Sequence, residues 1–183
     1  ITGSNGKTTV KNMLAAIVGR RAAVMSTPGN FNNEIGLPLT LMTLGEEHRY
    51  AVVELGANHL GEIAHLAAMA GPQVGVITQC APAHIEGFGS IRNVAKAKGE
   101  LVEALHGDGS VAVLNADDEF FSYWKERSNA TRVLSFGACR TADVRGEWQV
   151  SETGVEITVH WQESPFTVHL GLLGQHNVMN ALA

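Results

Sequence analysis

Apolar positions fall into two kinds of pattern along the chain. Over the first two-thirds, short continuous apolar runs alternate with stretches of helical period. The runs are Ala22–Ser26, Tyr50–Leu55, Val74–Thr78, Val111–Asn115 and Val133–Phe136. Between them lie helical candidates at Thr8–Arg20, Gly61–Ala70, Ile91–Leu105 and Asp118–Arg127. Val-rich runs without polar alternation suit strands buried on both faces. Strand and helix in strict alternation predict an α/β fold: a P-loop-type, mostly parallel sheet with helices on both faces. From about Thr141 the period changes to two. Asp143–Val150, Val155–Trp161 and Phe166–Leu172 alternate apolar with polar, punctuated by Thr153-Gly154 and Ser164-Pro165. This reads as a small antiparallel β lobe. The expected division is an α/β core over residues 1–140, the β lobe over 141–173, and a helix start over 174–183.

Both ends read as cut. Ile1, Thr2 and Gly3 already belong to a Gly-rich loop, and the helix-forming run His176–Ala183 stops without a cap. The expectation is one domain excised from a larger protein.

Composition narrows the class. Apolar residues make up 45% of the 183 and charged residues 17%, as in an ordinary globular core. A net charge of -5 without a basic run argues against a nucleic-acid partner. No apolar stretch approaches the roughly 20 residues of a membrane span. Cys80 and Cys139 have no metal-ligand spacing and read as reduced thiols, which points to the cytoplasm.

Candidate chemistry gathers where strands end. Gly3-Ser-Asn-Gly-Lys-Thr-Thr9 precedes a helix, so backbone N–H groups and the helix N-terminus can face a phosphate. Lys7 would reach the β- and γ-phosphates and the Thr8 hydroxyl would ligate Mg²⁺. Ile1 stands where the longer P-loop pattern has its first Gly, so this is the shorter form. A Gly-rich turn capping a helix is the plainer alternative. Glu54 closes the second long run, at the crevice where parallel sheets bind ligands. It can hold Mg²⁺, or equally be a strand-end carboxylate in water or paired with a lysine. His84 follows the third strand and would share that edge. Lys96 and Lys98 on the next helix have the default reading of a solvated basic face. Thr27-Pro-Gly-Asn-Phe-Asn-Asn-Glu34 offers amides for a polar substrate, or Asx turns. Asn177 and Asn180 share a helix face and could read an adenine edge or cap the helix.

Taken in order, these segments resemble the Mur ligase family. The matching segments are Gly3-Ser-Asn-Gly-Lys-Thr8, Gly29-Asn-Phe-Asn-Asn-Glu-Ile-Gly36 with Pro38, and Glu54-Leu-Gly-Ala-Asn-His59. Ala83-His-Ile-Glu-Gly-Phe-Gly89, Val94-Ala-Lys-Ala-Lys-Gly-Glu100, Asn115-Ala-Asp117 and Gly174-Gln-His-Asn177 with Asn180 follow. The Glu54–His59 and Ala83–Ser90 segments are similar to the member that adds D-Ala-D-Ala to UDP-MurNAc-tripeptide. The resemblance implies the central ATPase of three domains, without the N-terminal UDP-substrate domain or the C-terminal domain. It implies an acyl-phosphate mechanism in peptidoglycan precursor synthesis, with ATP and two Mg²⁺ sites, in a monomeric cytoplasmic enzyme. Gly3, Ser4, Asn5, Gly6, Lys7, Thr8 and Thr9 would hold the phosphates, and Asn177 and Asn180 the adenine. Thr8 and Glu54 would hold one metal. His84 and Lys98, the latter carbamylated by CO₂, would hold the second. Thr27, Asn30 and Asn33 would lie on the substrate side. Lys96 competes with Lys98, and helix register decides, because residues two apart face opposite ways. Folylpolyglutamate synthase, another Mur ligase, a P-loop switch and a scaffold are the rival readings.

Overall fold

In the computed structural model the described residues are 1–82 and 85–183, with the side chains of residues 85 and 86 outside the description. The first half runs α1 (Lys7–Gly19), β1 (Val24–Ser26), α2 (Gly36–Leu41), β2 (Tyr50–Val52), α3 (Glu62–Ala70) and β3 (Val74–Ile77). Then come α4 (Ile85–Phe88), α5 (Ile91–Glu103), β4 (Val111–Asn115), α6 (Phe121–Arg127) and β5 (Arg132–Gly137). The chain closes with β6 (Val144–Ser151), β7 (Gly154–Trp161), β8 (Ser164–Leu170) and α7 (Gln175–Leu182). The alternation read from the sequence is therefore the architecture.

Strands β3 to β8 form one sheet in sequence order. β3, β4, β5 and β6 pair in parallel, and β6, β7 and β8 antiparallel. The antiparallel strands thus continue the parallel sheet: Phe136 pairs with Val144 and Gly137 with Arg145. β1 and β2 form a second parallel pair, with Val24 opposite Tyr50. Ile1 and Thr2 link the two sheets. Leu55 N–H donates to the Ile1 carbonyl (2.8 Å), and Thr2 N–H to the Val76 carbonyl (2.9 Å). The Gly-rich loop therefore leaves the sheet between β2 and β3.

Side chains alternate across this sheet, as the pleat requires. Ile77, Ala112 and Leu114 face α5 and α6, where they pack with Ala95, Val102 and Trp124. Val76 and Val113 face the opposite layer, with Val10 of α1. There α7 lays Val178 and Leu182 onto Phe136, Val155, Ile157 and Val159. Helices cover both faces, and α3 packs outside α5 through Leu66, Ala67 and Leu101.

Helix α2 is absent from the sequence reading, which treats its neighbourhood as a loop. Six residues are too few to display a helical period. What forms it is local: the Asn33 Oδ1 accepts from Gly36 N–H (2.8 Å) and Ile35 N–H (3.2 Å). Pro38 stands in the first turn, where no intrahelical N–H is needed. Leu37 is buried and holds the turn against the α3 layer, and the buried Thr40 donates its hydroxyl to the Gly36 carbonyl at 2.9 Å.

Candidate active site

The phosphate-type loop runs from Gly3 into the N-terminus of α1. Two glycines make its shape obligatory. Gly3 has φ 149°, and a Cβ there would lie 1.9 Å from Thr78 Oγ1. Gly6 has φ 84°, and a Cβ would lie 2.2 Å from Asn180 Oδ1. The loop is strapped to the end of β3. Ser4 N–H donates to the Gln79 carbonyl (2.9 Å), Ser4 Oγ donates to the Ala81 carbonyl (3.0 Å), and Thr78 Oγ1 donates to the Asn5 carbonyl (2.5 Å). The β3 end is itself held from β4: Asn115 Nδ2 donates to the Thr78 carbonyl and Asp118 Oδ2 accepts from Cys80 N–H. Gly6 caps α1 without a side-chain bond, so the first-turn amides of Lys7, Thr8 and Thr9 have no intrahelical acceptor. They form a positive concavity, with the helix dipole behind it.

Lys7 folds across the loop, its ammonium donating to the Gly3 carbonyl at 2.9 Å. Burial lowers its pKa below the usual lysine value, opposed by the nearby Glu54 carboxylate. Glu54 is 2% exposed. Its Oε2 accepts from Thr8 Oγ1 at 2.8 Å and its Oε1 from Asn32 Nδ2 at 2.8 Å. Two hard oxygen donors at the mouth of a phosphate-type loop suit Mg²⁺, which takes few ligands from protein and keeps waters and phosphate oxygens. Among the described residues, no three His, Cys, Asp or Glu side chains gather as a cage.

Register separates the two lysines of α5. Lys96 is exposed, whereas Lys98 is 3% exposed, with Nζ 5.8 Å from the Phe88 ring centroid. Burial first, and then the Lys7 ammonium, lower the Lys98 pKa to about 8. Trp124 holds that register: it is fully buried, and its Nε1–H donates to the Ala95 carbonyl (2.8 Å). Cys80, on the same side, has its thiol pushed up to about 12 by burial and by Asp118. It is a packed thiol rather than a nucleophile. His84 lies outside the described residues.

The remaining sequence candidates divide. Asn180 lines a cavity of about 530 Å³ with Asn5, Gly6, Thr78, Gln79 and Met179. That size accommodates a small ligand. Asn177 is not among its lining residues; its Nδ2 donates to the Leu173 carbonyl (2.8 Å) at the start of α7. Thr27 is buried, and its hydroxyl accepts from Glu54 N–H (2.9 Å), so it fixes the carboxylate's backbone. Asn33 caps α2, and Asn30 is exposed. Another cavity, about 550 Å³, opens elsewhere between β2 and β3 among Leu14, Val18, Tyr50, Val52, Val74 and Leu101. None of Gly3–Thr9 reaches it, so its size carries no chemistry.

Two residues behind the site are not singled out by the sequence. Asn32 and Lys11 both reach Glu54, the latter with Nζ 4.0 Å from Oε2. A signal existed for Lys11: it follows Lys7 by four and Thr8 by three, on the same face of α1.

The family model of the Mur ligase middle domain matches residues 1–183. The chain belongs to that family. Among curated relatives, the UDP-N-acetylmuramoyl-tripeptide–D-alanyl-D-alanine ligase of Escherichia coli K12 is 42% identical over 185 residues, covering 100% of this chain and 41% of the relative. The chain thus spans about two-fifths of the relative's length. A crystal structure of MurF from Acinetobacter baumannii superposes with a TM-score of 0.93 at 36% identity, over 99% of this chain and 40% of that one. MurF ligase from Thermotoga maritima, solved in complex with ADP, superposes at 0.89 with 32% identity, over 100% of this chain and 42% of that one. Membership in the Mur ligase family accounts for the whole chain, the β6–β8 strands included. No helix among the described residues is long and apolar enough to cross a membrane.

Proposed function

We propose that the chain is the ATP-binding middle domain of a ligase that joins D-Ala-D-Ala to UDP-MurNAc-tripeptide, with release of ADP and phosphate. One observation carries the reading: a strapped Gly-rich loop meets a buried carboxylate through the Thr8–Glu54 bond, with Lys7 beside them. The 42% identity to a ligase of that name supports the choice of substrates.

The substrate carboxylate attacks the γ-phosphorus of ATP, ADP departs, and the dipeptide amine then displaces phosphate from the acyl phosphate while losing its proton. Two anions must approach, so the demand is electrostatic. The amides of Lys7, Thr8 and Thr9 and the Lys7 ammonium take up phosphate charge. Thr8 and Glu54 would hold Mg²⁺, which would supply positive charge to offset that of the phosphates. The cavity at Asn180 takes the adenine, and Asn5 and Gly6 in its lining join it to the loop. Asn177 fixes the start of α7 and acts on the nucleotide through that helix.

Lys98 is the candidate carbamate. Only a neutral amine adds CO₂, forming an N–C bond and releasing one proton. A pKa of about 8 leaves roughly a tenth of the side chain neutral at pH 7, against less than about a thousandth for an ordinary lysine. The product is an anionic oxygen ligand, the kind a second Mg²⁺ requires. His84 is its proposed companion, by family resemblance alone. Asn30 stands on the substrate side, while Thr27 and Asn33 hold the loop that carries it. Such a role belongs in the cytoplasm.

The test is phosphate release by the full-length protein with ATP and Mg²⁺, with and without the two acceptors. Release that requires both supports the proposal. Release indifferent to both would move the assignment to another ligase substrate or to a nucleotide-dependent switch.

A further inference from the structure

Lys11 is 2% exposed, a depth that lysine rarely reaches without a partner. Its ammonium donates to the Thr27 carbonyl at 2.8 Å and the Gly29 carbonyl at 3.2 Å, and lies 4.0 Å from Glu54 Oε2. These partners belong to two segments: the loop after β1 and the end of the β2 run. Both segments are also tied to each other. Thr27 Oγ1 accepts from Glu54 N–H, Asn32 Nδ2 donates to Glu54 Oε1, and the Asn32 carbonyl accepts from Gly56 N–H (2.7 Å). The result is a closed ring of bonds, with one lysine of the phosphate-loop helix at its centre.

Apolar side chains in place of both Lys11 and Glu54 would avoid desolvating two charges, and buried ion pairs are seldom the more stable solution. What the ammonium adds is direction. Two carbonyls and a carboxylate converge on one point only if the loop takes one course. Lys11 stands one helical turn beyond Lys7, so that course is set relative to the phosphate loop.

We propose that Lys11 is a positioning residue: it clamps the Thr27–Asn33 loop to α1 and so fixes the acceptor side of the crevice against the nucleotide side. The substrate half of this statement rests on the ligase reading above; the clamp itself does not.

The experiment compares the full-length wild type with Lys11→Met, which keeps the aliphatic stem, and Lys11→Gln. Hydrogen exchange of residues 29–35 is followed without substrates, and steady-state kinetics are measured with ATP, UDP-MurNAc-tripeptide and D-Ala-D-Ala. In Lys11→Met, amides of 29–35 should exchange at least tenfold faster. KM for the tripeptide should rise at least tenfold, while the ATP dissociation constant and kcat stay within threefold. Lys11→Gln, which can still donate to one carbonyl, should fall between. If Lys11→Met does not fold, Lys11→Gln carries the same comparison. Unchanged exchange in the folded variants overturns the clamp. An equal rise in the ATP constant and the tripeptide KM also overturns it, because Lys11 would then serve Glu54 rather than the loop. Should the wild type show no acceptor-dependent phosphate release, the ligase reading fails, and the exchange data still decide the clamp.

Discussion

The crevice around the phosphate-type loop and the β6–β8 strands use opposite means to hold their shape. In the crevice, Thr2, Ser4, Lys11, Thr27, Glu54, Thr78, Lys98 and Asn115 are buried. Most are fixed by bonds between segments far apart in sequence. In the β6–β8 strands the buried side chains are aliphatic, and most polar ones are exposed. Val155, Ile157 and Val159 face α7, while Glu156 is exposed and faces His169 across the strand pair at 3.5 Å. Such exposed ion pairs contribute little. The first region accepts desolvation to aim donors at a ligand; the second obtains stability from apolar burial. They meet in α7, which buries Val178 and Leu182 on the strands and turns Asn180 toward Gly6. The β6–β8 strands are thus a pedestal for one wall of the cavity at Asn180. Loss of activity without loss of stability is therefore expected from the crevice, and the reverse from the pedestal.

The hardest test of that contrast is Lys7→Ala. It should lower acceptor-dependent phosphate release by at least about 1,000-fold, roughly 4 kcal/mol. The melting temperature should hold, because the ammonium bonds only its own loop. Retained turnover would remove Lys7 from the site. Next in size, Lys98→Ala should cost on the order of 100-fold, the typical penalty for losing a metal-supporting group. Short-chain carboxylic acids such as acetate should restore part of it by supplying oxygen ligands. Absence of rescue would count against the carbamate.

Ile157→Ala reverses the readout. Ile157 is fully buried beneath α7, and its truncation should cost about 2–5 kcal/mol of stability. In chemical denaturation the midpoint should fall, while kcat of the remaining folded protein stays near wild type. A drop in kcat at temperatures where the variant is fully folded would mean that α7 relays the pedestal to the nucleotide more directly than the packing implies.

The same contrast explains what could be read from the sequence. Period-two alternation marked β6 to β8, and short Val-rich runs marked β3 and β4, because burial on one face or two leaves a repeating trace. Gly3–Thr9 and Glu54 are legible as candidates from pattern and position, whereas Lys98 enters only through the family resemblance. Lys98 needed helix register to be chosen over Lys96. Lys11 and Asn32 were not found, since their partners are backbone carbonyls and one carboxylate brought together by the fold. Thr27, Asn33 and Asn177 have backbone partners that the sequence does not announce: Glu54 N–H, Gly36 N–H and the Leu173 carbonyl. Sequence identifies an amide or hydroxyl, whereas structure decides whether it faces a ligand or its own backbone.

The smallest effect sharpens the boundary between the two regions. Asp143 stands just before β6, where Ser135 Oγ donates to its Oδ2 at 2.6 Å and Ser135 N–H at 2.8 Å. The Ser135 hydroxyl is the main cause of a carboxyl pKa below the usual aspartate value, followed by burial acting against it and the Ser135 amide. Because the folded pKa is depressed, this bond stabilises the protein above the ordinary aspartate pKa. The contribution disappears as the pH falls through the folded value, where both states bind the proton. Ser135→Ala should therefore lower stability at neutral pH by less than about 1 kcal/mol, since Asp143 is exposed and screened by water. The difference from wild type should narrow in acid denaturation as the pH falls below the ordinary aspartate pKa of about 3.9, and vanish below the folded value. A pH-independent difference would instead assign the loss to packing of the buried Ser135. The β5–β6 junction would then belong with the pedestal, held by volume, rather than with the crevice, held by charge.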